Sequence, residues 1–451
     1  MKHAMLIALP IMVQNGITNF VSMLDNIMIG RIGTEQMTAA AIVNQLMFVF
    51  NLCIFGGLSG IGIFTAQYAG KKDIEGVRNT FRLSFLLAML MTVIGTAVFL
   101  LHGPSLVNLY LHDDASAADL AATLQYAMQY MHLILVSLGA FALTQVYAGV
   151  LRADGETSAP MRAGTLAVFV NLIGNYLLIY GKAGLPALGV AGAAIATVVS
   201  RFVELVYITV WAHRHKIEHP YIDMAYASMR VPKELFLQCL LKGSPLLLNE
   251  ALWSSGEAIL QQNFSLRGVS VVAAMNISMT ICNVFNIGFM SLGQAIGILV
   301  GQELGKGNTE TVKKQANDLS LLSVILCILI GAVLYAVAPA FPKIYAADAE
   351  IRSLAAGLIR VSAVMMPLYA YGNASYFTIR SGGKTMITFI FDSGFTWAAS
   401  IPAAWVLVRH TALPILIVYA MVQGLNLVKD IIGFVLVQRG NWIVDLTALT
   451  E

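Results

Sequence analysis

The sequence predicts an all-α polytopic membrane protein with twelve transmembrane helices in two pseudo-symmetric six-helix lobes. Three observations predict this: the composition, the spacing of the apolar stretches, and an internal repeat. Of the 451 residues, 58% are hydrophobic and only 11% charged, and the mean hydropathy is +0.75. A soluble chain carries about 25% charged residues, so most of this chain must sit in lipid. The net charge of +3 is small and dispersed, which excludes nucleic acid as a partner. Cys53, Cys239, Cys282 and Cys327 are scattered, without CxxC or metal spacing, so neither a disulfide framework nor a zinc site is indicated.

A helix that crosses a bilayer needs about 20 mostly apolar residues. Spans are read at 4–29, 38–68, 81–102, 121–148, 162–181, 187–211, 243–266, 271–300, 316–340, 353–378, 386–408 and 413–437. The first is too long for the apolar core of a cleaved signal and reads as a retained span. Connections are short except for 212–242, which is basic and interrupted by Pro220 and Pro232. The expected organisation is an N-lobe at 1–211, a cytoplasmic linker at 212–242 and a C-lobe at 243–451. With the N-terminus inside and the sides alternating, 20 of the 27 Lys and Arg residues fall on the cytoplasmic side. That bias predicts both termini in the cytoplasm, and the expected location is the cell inner (plasma) membrane, as a multi-pass protein.

The repeat follows from a shift of 235 residues, which lays Pro10 on Pro245, Gly33 on Gly268, Ala39 on Ala274, Gln67 on Gln302 and Gly70 on Gly305. Farther along the shift is 228, and Arg152, Gly155 and Thr157 fall on Arg380, Gly383 and Thr385. An even number of spans per half makes the repeats parallel. Transporters of that kind bind solute between halves and rock one against the other.

Polar residues inside spans mark the candidate sites, because a charge in lipid costs at least about 2.5 kcal/mol. In the first span, Gln14, Asn15, Thr18, Asn19, Ser22, Asp25 and Asn26 form one stripe at i+3/i+4 spacing. In the seventh, Glu250, Ser254, Glu257 and Gln261 fall by the 235 shift on Asn15, Asn19, Ser22 and Asn26. Two polar faces lining one cavity is one reading; hydrogen bonding between helices is the other. Asp25 and Glu250 favour function. Asn171, Asn175 and Thr197 offer neutral oxygens to a cation near Asp25, since hard cations such as sodium prefer oxygen ligands. Asp392 either lines the cavity or caps a kink, while Glu204 and Asp430 are paired with their neighbours Arg201 and Lys429.

Enzyme signals fail. RSGGKT at 380–385 ends like a phosphate loop, but Thr378 stands where the first glycine is required. No ATP-binding domain is present, so no cofactor is expected, and energy comes from an ion gradient or from the solute's own.

The strings LDNIMIGRIG (24–33), TAQYAGKKD (65–73), GVLRADGETSAP (149–160), NLIGNYLLIYG (171–181), GVAGAAIATVVSR (189–201), GQELGKGN (301–308) and IRSGGKT (379–385) resemble the multidrug and toxic compound extrusion (MATE) family. The similarity runs from about residue 9 to 435. It implies an antiporter that exports cationic or amphipathic organic compounds against sodium or proton entry. By the same resemblance Asp25 matches an acidic residue of the family's N-lobe cation site, with sodium as the possible metal. Asn171 and Thr197 match polar residues of that site, and Asn175 stands where many members carry a second carboxylate. Glu250 matches an acid that some members pair with one in the tenth span; here that span offers only Tyr369, Tyr371 and Asn373. The coupling-ion residues are therefore expected to be Asp25, Asn171, Asn175 and Thr197. The substrate cavity is expected to hold Asn15, Asn19, Glu250, Glu257, Gln261, Tyr369 and Asn373. Met279, Met290 and Met366 give either a soft cavity wall or core filler.

Lipid-linked oligosaccharide flippases share a related architecture but would carry a basic cavity for pyrophosphate, and the intramembrane charges here are mainly acidic. A channel or membrane sensor is disfavoured by the repeat symmetry with an acidic stripe in each lobe. Nothing calls for an obligate oligomer, so a monomer in lipid is expected.

Overall fold

The computed structural model describes residues 2–111, 117–307 and 309–449, and the side chains of Ser22 and Asn26, both in the predicted stripe, lie outside the described residues, as does Asn308. The chain is helical, with no strand among the described residues. In order come α1 (Lys2–Gly30), α2 (Thr34–Lys71), α3 (Ile74–Asn108), α4 (Ala117–Leu135), α5 (Leu138–Asp154), α6 (Ser158–Tyr180) and α7 (Val190–Arg214). Then follow α8 (Lys233–Ser265), α9 (Val269–Gly305), α10 (Thr309–Val337), α11 (Ala349–Ser381), α12 (Thr385–Phe389), α13 (Ile401–His410), α14 (Ile415–Gly424) and α15 (Asn426–Arg439).

These make twelve spans. Among the described residues nine helical stretches are long and apolar enough to cross a membrane alone, and α4 with α5, bent by 45°, makes a tenth. At the bend Ile134 O accepts from both Ser137 N at 2.9 Å and Ser137 Oγ at 2.7 Å, which keeps the carbonyl satisfied within the span. The two remaining spans depart from uniform apolarity for local reasons. Helix α8 carries the polar stripe of the seventh span. The stretch from α12 to α13 runs through two π-helical turns, Ile390–Gly394 and Thr396–Ser400, around Asp392.

The chain divides into two compact units. One comprises Val13–Thr65 and Asp73–Phe236; the other comprises Met1–Met12, Ala66–Lys72 and Leu237–Glu451. Within the latter, Ala4, Ile7, Ala8 and Ile11 of α1 are buried in one apolar cluster with Ile296, Leu299, Val300 and Leu304 of α9 and Ala316 and Leu319 of α10.

The repeat motifs acquire a physical meaning in this second unit. A Cβ on Gly70 would lie 1.8 Å from Gln302 O, and a Cβ on Gly305 would lie 1.9 Å from Gln67 O. The ends of α2 and α9 thus cross in backbone contact at both glycines, each against the glutamine of the other repeat. Gln67 is fully buried and saturated: Nε2 donates to Ser381 O at 2.9 Å and Val444 O at 3.1 Å, and Oε1 accepts from Leu446 N at 2.7 Å. Of the other repeated glycines, Gly155 and Gly383 sit at φ 103° and 70°, a backbone region that side chains rarely enter.

In the first unit, residues 215–232 are an ordered strap. Arg78 donates to Asp223 O and Pro220 O at 3.1 and 3.2 Å, and Arg82 to Ala225 O and Met224 O at 3.0 and 3.2 Å. His219 Nδ1 lies 2.7 Å from Asp154 Oδ2. Residues 233–242, expected as linker, are instead the opening turns of α8: Pro232 immediately precedes the helix, where its missing N–H costs nothing. Arg82→Ala removes both strap bonds and those to Glu75 and Asn79. At about 1 kcal/mol or more per bond to a charged donor, local opening of the strap should become at least about tenfold more frequent. Limited proteolysis at 215–232 reads this directly.

Candidate functional site

Each unit carries one polar constellation inside its helices. In the first, α1 brings Asp25, α6 brings Asn171 and Asn175 one turn apart, and α7 brings Thr197. Asn175 Nδ2 donates to Asp25 Oδ1 at 2.7 Å. With the Asn171 amide turned so that its nitrogen faces the carboxylate, it donates to Asp25 Oδ1 and Oδ2 at 3.1 and 2.8 Å, and its oxygen accepts from Thr197 Oγ1 at 3.1 Å. That orientation is the physical one, since an amide oxygen so close to a carboxylate would be repelled. Both Asp25 oxygens therefore receive amide N–H groups, while the buried Asn175 Oδ1 has no hydrogen-bond partner. Among the described residues none of the ion pairs involves Asp25. The four residues read from the sequence as a cation site are thus joined in one hydrogen-bonded chain, Asp25 to Asn171 and Asn175, and Asn171 to Thr197. Tyr130, which the sequence did not single out, is buried near Asp25 and donates to Asn44 Oδ1 at 3.3 Å.

The rest of the α1 stripe is quieter. Thr18 Oγ1 and Asn19 Nδ2 donate back to Gln14 O and Asn15 O, at 2.8 and 3.0 Å, and both side chains are exposed. Asn15 is half-buried. Gln14 Oε1 accepts from Arg152 Nη2 at 2.8 Å.

In the second unit, Asn249 rather than Glu250 is the junction. Its Nδ2 donates to Asp392 Oδ2 at 3.1 Å and contacts Tyr376 Oη at 3.4 Å, and Ser393 Oγ donates to its Oδ1 at 2.7 Å. Lys429 Nζ reaches Asp392 Oδ1 at 2.6 Å and lies 5.3 Å from the centre of the Phe391 ring. This corrects the expected pairing of Lys429 with Asp430. Residues adjacent on a helix point about 100° apart and cannot face each other. Both Asp430 oxygens are buried without a hydrogen bond. The other expected pair, Arg201 with Glu204, is present at 3.2 Å, i to i+3.

Glu250 is half-buried, within electrostatic reach of Arg380 and Asp392, while Glu257 and Gln261 are exposed on the same helix. Gln261 Nε2 donates to Met279 Sδ at 3.1 Å. Tyr369 Oη donates to Gln423 Oε1 at 2.9 Å, and Asn373 Oδ1 is buried without a partner. Met366 is fully buried core filler, whereas Met290 is exposed. Among the described residues no group of three or more His, Cys, Asp or Glu is arranged to hold a metal ion.

The sequence profile of the MatE family matches residues 10–177 and 245–406, one stretch in each half. The chain belongs to the MatE family. Membership makes it a multi-pass membrane transporter rather than an enzyme. MatE relatives include a probable multidrug resistance protein NorM of Thermotoga maritima, 25% identical over 92% of this chain and 87% of the relative. A probable multidrug resistance protein YoeA of Bacillus subtilis is 24% identical, covering 91% and 88%. The fold is that of solved MatE transporters. An outward-facing multidrug resistance MATE transporter superposes with TM-score 0.85 at 20% identity, over 99% of this chain and 96% of that one. A transporter of the MOP superfamily from Pyrococcus furiosus, described as having a binding pocket of reversed polarity, gives 0.85 and 20% over 100% and 96%.

Proposed function

We propose that this chain is a secondary active antiporter that exports cationic or amphipathic organic compounds by alternating access, in exchange for sodium ions or protons. The observation that carries the reading is the Asp25 cluster. A carboxylate inside a membrane span is met there by two neutral amides, and a buried amide oxygen beside it stands unpartnered. A bare carboxylate at that depth costs at least about 2.5 kcal/mol. Binding a proton or a sodium ion removes the cost, and the unpartnered Asn175 Oδ1 is a neutral oxygen that suits the ion, while Asn171 and Thr197, bonded to each other, add theirs once that bond turns aside. Neutralising Asp25 changes what its amide partners must satisfy on α6, which gives ion binding a lever on the first unit.

Glu250, Glu257, Gln261, Tyr369 and Asn373 of the second unit, with Asn15 and Asn19 of the first, are the residues we assign to solute, the two acids favouring cations. The relatives' names as multidrug resistance proteins agree with a broad substrate class. The Lys and Arg bias supports both termini in the cytoplasm, and the chain acts as a monomer in lipid. The test is dye export from vesicles with a sodium or a proton gradient imposed one at a time. Antiport predicts uphill, saturable export of a cationic dye under one gradient, collapsing when that gradient is dissipated. Export indifferent to both gradients would sink the reading.

A further inference from the structure

The second unit holds a carboxylate that is not waiting for an ion. Asp392 and Lys429 are mostly buried, their side chains 18% and 16% exposed, and 2.6 Å apart inside two spans. The pair is built in from every side. Asn249 of α8 donates to the other carboxylate oxygen, Ser393 fixes Asn249, and the Phe391 ring lies beside the ammonium group. The π-helical turn Ile390–Gly394 carries Asp392 and Ser393 to the same Asn249.

The internal repeat makes the pair informative. At 228 residues earlier, Asp392 falls on Gly164 and Lys429 on Arg201; at 235 residues earlier, Asn249 falls on Gln14. The equivalent corner of the first unit is assembled in the same way, for a Cβ on Gly164 would lie 2.7 Å from Gln14 Nε2. There, however, the acid is absent, and Arg201 turns to Glu204 on its own helix. The first unit also carries a carboxylate at Asp25, with amides and, among the described residues, no ion pair against it. One unit therefore presents a carboxylate to neutral donors, and the other presents a carboxylate to a lysine.

We propose that Lys429 is a built-in counter-cation for Asp392, so that the second unit carries within its own sequence the positive charge that the first unit takes from solution. The contrast rests on the reading of Asp25 as the ion site; the role of Lys429 does not. The arrangement makes Asp392 unavailable to a coupling ion or a cationic solute and leaves Glu250 and Glu257 as the acids a solute meets. The groups facing the pair are Asn249, Glu250 and Glu257 of α8, Tyr376 and Arg380 of α11, and Asp430 of α15.

The test measures the half-life of purified, detergent-solubilised protein at raised temperature. Sodium chloride is compared with choline chloride at equal ionic strength, and neutral with mildly acidic buffer. In an Asp25→Asn background, Lys429→Gln should gain a stabilisation by sodium or by acid of at least about threefold, the gain mass action gives once an ion exceeds twice its Kd. Lys429→Arg, which keeps the cation, should gain none. Loss of any ion response on going from wild type to Asp25→Asn reads the first unit separately. If Lys429→Gln alone does not fold, the Asp392→Asn, Lys429→Gln double variant should recover folding, because no uncompensated charge remains. An unresponsive Lys429→Gln, a Lys429→Arg that responds equally, or a double variant as defective as the single one would overturn the proposal.

Discussion

Replacing Gly70 by alanine is expected to destabilise the protein by about 3 kcal/mol or more, at the upper end of what overpacking costs. The added carbon would sit 1.8 Å from Gln302 O and 2.6 Å from its carbonyl carbon, and neither atom is the tip of a flexible side chain. Relief requires the ends of α2 and α9 to separate, and separation strains the Gln67 hydrogen bonds that lie one turn away. Gly305→Ala meets Gln67 O at 1.9 Å and should behave alike. Because the two substitutions oppose the same crossing, the double variant should lose little beyond either single one. Unfolding of a polytopic membrane protein is seldom reversible, so the measurement is the half-life of monodisperse protein at raised temperature. A Gly70→Ala protein as long-lived as wild type would show that the crossing is not tight.

Asp25→Asn should leave the protein folded and sharply reduce ion-driven export. Asparagine fills the same volume, and losing a charge from a span removes a desolvation cost, so the half-life should hold or lengthen. What disappears is the differential affinity for an ion. Couplings of this kind are worth about 1–3 kcal/mol, or about 5- to 150-fold, and gradient-driven dye export should fall by a factor in that range. Dye binding to the purified protein should change little, because the acids we assign to solute, Glu250 and Glu257, are on α8. Full export by a well-folded Asp25→Asn protein would remove Asp25 from the coupling step.

The spans were legible because lipid imposes one length and one composition, and even the bent α4–α5 pair and the π-interrupted span keep an apolar run of the right size. The first-unit cluster was legible for a similar reason. Asp25, Asn171, Asn175 and Thr197 are rare residue types in spans, and there are few ways to satisfy them. Lys429 was misread because proximity in sequence was taken for proximity in space, although neighbouring helical residues diverge. The signal that would have corrected it lay in the repeat: carrying Asp392 back to Gly164 and Gln14 forward to Asn249 brings both onto one corner. Tyr130 and the docked strap left no signal of that kind. An aromatic residue in an apolar helix and arginines that cap loop carbonyls are defined by tertiary contacts alone.

The bonds of Gln67 bear on the order in which the protein can assemble. Its partners Val444 and Leu446 lie 377 and 379 residues later in the chain. During synthesis α2 enters the bilayer long before those residues leave the ribosome, and its buried amide must be satisfied in the meantime by water or by transient neighbours. The crossing of α2 with α9 is therefore sealed from the far end of translation, and a chain truncated before residue 444 and released would carry every span yet lack the peptide groups that seal this corner.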